Sequence, residues 1–197
     1  MTLAKRVIPI VELLPSGDLL RVHRRGGMDV DFVPTVARYL AREGADEVWL
    51  RLAHPDDRGA GGLFDAVKAV RPVSEVPLIA WGSIKSAADA RLIIGLGADR
   101  VVLETGDVDV EAAMDRVLAV THAVGQHRVT VQVNVRRVAR QKSYVWEYTD
   151  EKGADLGIDA LSVVHDLVLA GADEVLLTPR FEGALSQHPP TSWSGCV

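Results

Sequence analysis

Apolar positions along this chain follow two alternating periods. Residues 33–43 (VPTVARYLARE), 86–96 (SAADARLIIGL) and 159–170 (DALSVVHDLVLA) carry apolar side chains three and four apart, which places them on one face of a helix. Each stretch leads into the same three letters, Gly-Ala-Asp, at Gly44, Gly97 and Gly171. A glycine at that point stops a helix. The letters that follow, EVWLRL, RVVLET and EVLLTP, are short and rich in β-branched residues or leucine, as in a buried parallel strand. Further strands are expected at KRVIPIVEL (5–13), VPLIAWG (76–82) and RVTVQVNV (128–135). The whole reads as six strands with helices between them.

Side chains alternate sides along a strand, so the three copies can be compared face by face. Glu47, Trp49 and Arg51 share one side, as do Arg100, Val102 and Glu104, and Glu174, Leu176 and Thr178. Thr130, Gln132 and Asn134 continue that side in the fifth strand, while the opposite side is uniformly aliphatic. Charge at both ends of a buried face suits a barrel interior with two mouths better than an open sheet with one polar edge. The expected fold is therefore α/β, of the (βα)8 TIM-barrel type with about six βα units present. Chemistry in such folds gathers at the C-terminal strand ends. Those ends carry Glu12, Arg51, Trp81 with Gly82 and Ser83, Glu104 with Thr105, Asn134 and Thr178. The N-terminal ends carry Arg6, Glu47, Arg100 and Glu174, whose alternating signs predict a salt-bridged ring at the bottom.

Composition narrows the function. The chain has 197 residues and a net charge of -5, against a nucleic-acid or anionic-membrane surface. One cysteine, Cys196, leaves no disulfide framework. No apolar run is long enough to span a bilayer, so a soluble, cytoplasmic protein is expected. The histidines show no paired spacing, and neither a metal nor another cofactor is expected. The basic stretch VHRRGG (22–27) after Arg21 reads as a solvated loop and HPDDRGAGG (54–62) as a linker. Tyr144 and Trp146 are expected to pack down a polar hairpin, SYVWEYTDEKGADLG.

The order of AKRVIPIVEL, GADEVWLRL, VPLIAWGSIKSAADARLIIGLGADRVVLETGDV, RVTVQVNVRR and GIDALSVVHDLVLAGADEVLLTPRFEGA resembles the cyclase subunit of imidazole glycerol phosphate synthase, a histidine-biosynthesis barrel. The resemblance runs from about Ala4 to Ala184 and implies a barrel domain over 1–184, while the Pro-Pro and Ser-rich composition of 185–197 reads as a loose tail. It also implies roles. The family's two acid-base aspartates fall on Glu12 and Asn134, and a loop lysine falls on Arg21. A second-strand aspartate falls on Arg51, and a glycine triplet on Trp81-Gly82-Ser83. An asparagine that helps hold phosphate falls on Glu104, while Thr105 and Thr178 match. Asparagine cannot exchange a proton at neutral pH, and a carboxylate close to a phosphate is repelled. Alternatively, Arg51 neutralises Glu104 across the mouth.

In the family a ring of one arginine, two glutamates and a lysine gates ammonia from a glutaminase partner. Arg6, Glu47, Arg100 and Glu174 match that ring, with arginine for lysine; a structural charge layer is the other reading. The family continues through two more strand–helix units. The expectation is thus a barrel incomplete at its C-terminus, or a truncated or frame-shifted product, whose bare edges favour a homo-oligomer. Its function is expected to be that of a diverged or repurposed lyase/cyclase acting on a small polar or phosphorylated metabolite; the alternative is a non-catalytic scaffold subunit.

Overall fold

The computed structural model describes residues 6–14, 16–17, 33–53, 61–140 and 143–180. In chain order the elements are β1 (Ile10–Leu13), α1 (Val33–Arg42), β2 (Val48–Leu52), α2 (Gly61–Val70), β3 (Leu78–Trp81), α3 (Ala87–Gly95), β4 (Arg100–Glu104), α4 (Val110–Val124), β5 (Val129–Arg140), β6 (Ser143–Thr149), β7 (Asp155–Asp159), α5 (Ala160–Leu169) and β8 (Glu174–Arg180). Six strands pair in parallel in the order β1-β2-β3-β4-β5-β8, each separated from the next by a helix. The remaining two, β6 and β7, form the expected hairpin, antiparallel to the far half of β5. Among the described residues β1 and β8 have no outer neighbour, so the barrel is not closed.

Two expectations are corrected. The first strand was expected over 5–13, but pairing with β2 starts only at Ile10. Upstream, the Val7 N–H donates to the Asp46 carboxylate at 2.7 Å, and Pro9 has no N–H to offer the ladder. The stretch expected to be a linker over 54–62 ends in Gly61 and Gly62, which open α2, while 54–60 lie outside the described residues.

The repeated Gly-Ala-Asp is a clamp between neighbouring strands. Gly44, Gly97 and Gly171 all have positive φ (93°, 112° and 108°), which L side chains rarely adopt. At Gly97 an added Cβ would also lie 2.4 Å from the Arg71 side chain. The aspartate that follows donates its N–H to the carbonyl of the adjoining segment: Asp46 to Val7, Asp99 to Leu78 and Asp173 to Val129. In two copies the carboxylate also accepts that segment's N–H, from Val7 at 2.7 Å and from Leu78 at 2.8 Å. The motif ends a helix and sets the register of the next strand in one turn.

Strand alternation then divides the interior. Val48, Leu50, Leu52, Leu78, Ala80, Val101, Leu103, Val129, Val131 and Val133 pack outward against the helices in the main core. The inner side holds a separate small cluster of Trp49, Ile79, Trp81 and Val102, with the two indoles edge to face at 5.9 Å between centroids. Trp146 packs against the main core, but Tyr144 does not hold the hairpin down. It is 62% exposed, with the Arg137 guanidinium 3.6 Å above its ring.

The bottom charges form one network. Arg6 Nη1 binds Glu47 Oε1 at 2.6 Å and Arg6 Nη2 binds Glu174 Oε1. Arg100 Nη2 binds Glu174 Oε2 at 2.7 Å, and Trp49 Nε1 donates to Glu47 Oε2 at 2.9 Å. Burial pushes the Glu174 carboxyl up, but the Arg6 hydrogen bond and the charges of Arg100 and Arg6 outweigh it. Its pKa lies below the ordinary carboxylate value.

Glu174→Gln should therefore lower stability in urea melts at neutral pH. The expected loss is about 1–3 kcal/mol, less than for a fully buried pair because Arg6 is half in water. A depressed folded pKa stabilises above the unfolded carboxylate value and loses that contribution as pH falls through the folded one. The gap between variant and wild type should accordingly close below about pH 4. A small loss with the same gap at both pH values would mean separately solvated side chains.

Candidate active site at the C-terminal mouth

The ladder register lifts the inner polar residues to the C-terminal end in three tiers. Glu12, Arg51 and Trp81 are neighbours across β1, β2 and β3. Glu104 stands beside Gln132 on β4 and β5, and Asn134 beside Thr178 on β5 and β8. One sheet thus brings together Glu12, Arg51, Glu104, Asn134 and Thr178. Arg21 and the 185–197 tail lie outside the described residues.

Along the first wall the contacts run in series. Arg51 Nη1 donates to Glu12 Oε1 at 3.3 Å, and the Arg51 guanidinium lies over the Trp81 ring, 4.4 Å from its centroid. Trp81 Nε1 in turn donates to Glu104 Oε1 at 3.2 Å. Of the alternative in which Arg51 neutralises Glu104, the structure shows the effect of the charge and no ion pair. Among the described residues the ion pair of Arg51 is with Glu12, and the hydrogen-bond donor to the Glu104 carboxylate is a neutral indole. Burial dominates at Glu104 and holds its pKa above the ordinary value. The Trp81 hydrogen bond and the Arg51 charge pull it down less than burial raises it.

The second wall is made of amides and hydroxyls. Gln132 Nε2 donates to Asn134 Oδ1 at 2.9 Å and to Thr178 Oγ1 at 3.2 Å, which fixes all three side chains. Thr105 is buried and braces this wall: its hydroxyl donates to the Gln132 carbonyl at 2.9 Å, and the Tyr148 hydroxyl donates to the Thr105 carbonyl at 2.8 Å.

Gly82 and Ser83 form the turn after β3, with φ of 114° and 54°. A Cβ at Gly82 would meet Leu52 Cβ at 3.0 Å, so this glycine is required by packing against β2. Behind Glu104, Arg116 donates to the Glu104 carbonyl at 2.9 Å and to Asp107 Oδ1 at 2.8 Å, with Lys85 Nζ 3.7 Å from Asp107. Burial raises the Asp107 carboxyl, but Arg116 more than reverses that and leaves it below its ordinary value.

Sequence reasoning passed over Gln132 as the hub of the second wall, although it alternates with Thr130 and Asn134 on the polar side. It placed Trp81 only as the replacement of a family glycine, and the ring also connects Arg51 to Glu104. No group of three His, Cys, Asp or Glu side chains in metal-binding arrangement occurs among the described residues. Nor is any helix among them long and apolar enough to cross a membrane. The chemistry available is that of one carboxyl with raised proton affinity, one stacked guanidinium and a wall of neutral hydrogen-bonding groups.

The raised Glu104 carboxyl carries a pH signature. A carboxyl whose pKa is higher folded than unfolded binds more protons when folded, so stability falls as pH rises between the two values. Glu104→Gln keeps an acceptor for the Trp81 N–H and removes that penalty. Thermal melts from about pH 4 to pH 8 should show the variant more stable than wild type at the neutral end, with the two converging at the acid end. Destabilisation by Glu104→Gln at neutral pH would mean that the folded protein favours the ionised form.

Residues 22–180 match the family described as histidine biosynthesis protein. The imidazole glycerol phosphate synthase subunit HisF of Dictyoglomus thermophilum is 29% identical over 177 residues, covering 89% of this chain and 68% of that protein. The subunit of the same name from Sulfolobus acidocaldarius is 29% identical over 176 residues, and that from Sulfurisphaera tokodaii 31% over 183, with the same coverage. The family match takes in every helix and every strand after β1, including the hairpin and the strand ends that build most of the mouth. By fold, element order and sequence, this chain belongs to the histidine biosynthesis protein family and is HisF-like.

Proposed function

We propose that this chain is a repurposed HisF-like lyase/cyclase that binds a small polar metabolite at the mouth and uses Glu104, with Glu12, for proton transfer. The observation that carries the reading is the Glu104 carboxyl, raised by burial, bonded to Trp81 and standing beside Gln132 on the wall it forms with Asn134 and Thr178. A carboxyl held above its usual pKa is suited to general acid work near neutral pH. Glu12, half-exposed and paired to Arg51, supplies the second carboxylate. Asn134 and Thr178 orient the ligand by hydrogen bonding.

The family's two-phosphate substrate fits this mouth poorly. Trp81 stands where that family places a glycine, and Glu104 stands where it places an asparagine that helps hold phosphate. At the α3 N-terminus a capping box already engages part of the available donors, with Asp89 accepting from Lys85 N, Ser86 N and Ser86 Oγ.

The purified protein is therefore expected not to convert the family's bis-phosphate intermediate with excess ammonium into imidazole glycerol phosphate, followed by mass spectrometry. Asn134→Asp should not restore it. One positioned proton donor accounts for about two to four decades of rate, but the phosphate grips remain unmade. Turnover by wild type that Glu12→Gln abolishes would overturn this reading.

A second reading, an association subunit, is supported by the open edges and by what lies near them. Leu161 and Leu169 on α5 are 73% and 71% exposed, and Leu177 on the edge strand β8 is 41% exposed. Bare parallel edges beside apolar side chains favour self-association. The named relatives are each a subunit of a synthase, so a glutaminase-type partner at the bottom ring belongs to the same reading. Light scattering after size exclusion at micromolar concentration should give a dimer or larger. A stable monomer would remove the support for self-association.

A further inference from the structure

Arg51 is held more firmly than its hydrogen bonds explain. A guanidinium has five N–H donors. Among the described residues the hydrogen bond from Arg51 goes to Glu12 at 3.3 Å, which is long for a charged pair, and its buried Nε has no hydrogen-bond partner. A buried donor without a partner calls for an explanation, and the mouth of a strand-end site suggests one. Stacking on Trp81 fixes the plane of the guanidinium, so little freedom is left to lose when a planar acid group meets its fork.

We propose that Arg51, laid on the Trp81 indole, is a carboxylate anchor that binds the acid group of a small hydroxy-monocarboxylate in exchange for Glu12. The inference rests on the reading above that the mouth is a ligand site, and it names the class of ligand. Glu12 is replaceable: its side chain is 32% exposed, and a partly solvated pair at 3.3 Å is weak. Once displaced from Arg51, it remains at the mouth as the second carboxylate of the proton transfer.

A monoanion suits the site better than a phosphate dianion. The Glu104 carboxyl lies at the N–H edge of the same indole, and Arg51 supplies the one cation of the Glu12–Arg51–Trp81–Glu104 series, enough to match a single negative charge. Across the mouth, the Gln132 amide and the Thr178 hydroxyl are neutral partners for ligand hydroxyls. The buried Glu104 carboxyl, when protonated, can donate to a hydroxyl oxygen in the same way.

Glycerate and glycerol 3-phosphate share one carbon skeleton and differ in acid group, with glycerol as the neutral control. The probe is the Trp81 indole N–H resonance, identified by its loss in Trp81→Phe. Glycerate should shift it saturably, glycerol should not, and Arg51→Lys should raise the glycerate Kd by about tenfold or more. Glu12→Gln, which removes the competing carboxylate, should tighten glycerate binding. The proposal is overturned if glycerate gives no saturable shift up to about 50 mM, a range that covers even weak anchoring. It is equally overturned if glycerol 3-phosphate binds more tightly than glycerate, if Arg51→Lys changes nothing, or if Glu12→Gln weakens binding. The bis-phosphate assay separates the two levels. Silence with glycerate and no turnover removes only the carboxylate anchor, whereas turnover removes the repurposed mouth as well.

Discussion

Arg6 connects the two ends of an unclosed barrel. It precedes the first strand, yet its guanidinium reaches Glu47 at the start of β2 and Glu174 at the start of the last strand. Six parallel strands cannot complete the hydrogen-bond cycle that eight would. Among the described residues the ring of Arg6, Glu47, Arg100 and Glu174 supplies at the bottom a link that the backbone ladder does not supply between β1 and β8. The same network holds β2, β4 and β8 together at the end of the strands opposite the mouth. Trp49 ties the two levels together, donating to Glu47 below and packing edge-on against Trp81 above.

The mouth owes its chemistry to the same inner cluster. Trp81, at the C-terminal end of β3, offers an indole whose face and N–H serve different partners. The face holds Arg51, and the N–H holds Glu104. A glycine at this position would leave both charges free to pair with each other or with an anion. With the ring in contact with both, Arg51 pairs with Glu12 and Glu104 stays buried with raised proton affinity. A single large residue thus stands between a cationic and an acidic part of the mouth, in contact with both.

Much of the architecture follows from local rules and is legible in the residues. The Gly-Ala-Asp phrase specifies a helix stop by glycine conformation and a strand register by the aspartate, both local to one turn. Alternation along EVWLRL, RVVLET and EVLLTP assigns each side chain to the helix side or the interior, because the period of two leaves no third choice. The two-ended charge pattern of the inner face followed directly, as did the bottom ring and the membership of Glu12, Arg51, Glu104, Asn134 and Thr178 in one mouth.

Which of those neighbours touch was decided only by the tertiary structure. Strand order and stagger put Glu12 opposite Arg51 and Trp81 beyond it, so Arg51 turned to Glu12 and away from Glu104. The hydroxyl of Thr105 turned inward to the Gln132 carbonyl because the β6 strand, brought over it by the hairpin, covers that side with Tyr148. Gln132 became the hub of its wall because β8, distant in sequence, sets Thr178 within its reach. The start of β1 also moved, since a carboxylate from the next repeat captured the Val7 N–H. Side-chain direction depends on one strand's own period, and the sequence by itself determined it. Partner choice and proton affinity depend on distances of a few ångströms between strands far apart in the chain, on which no local pattern bears.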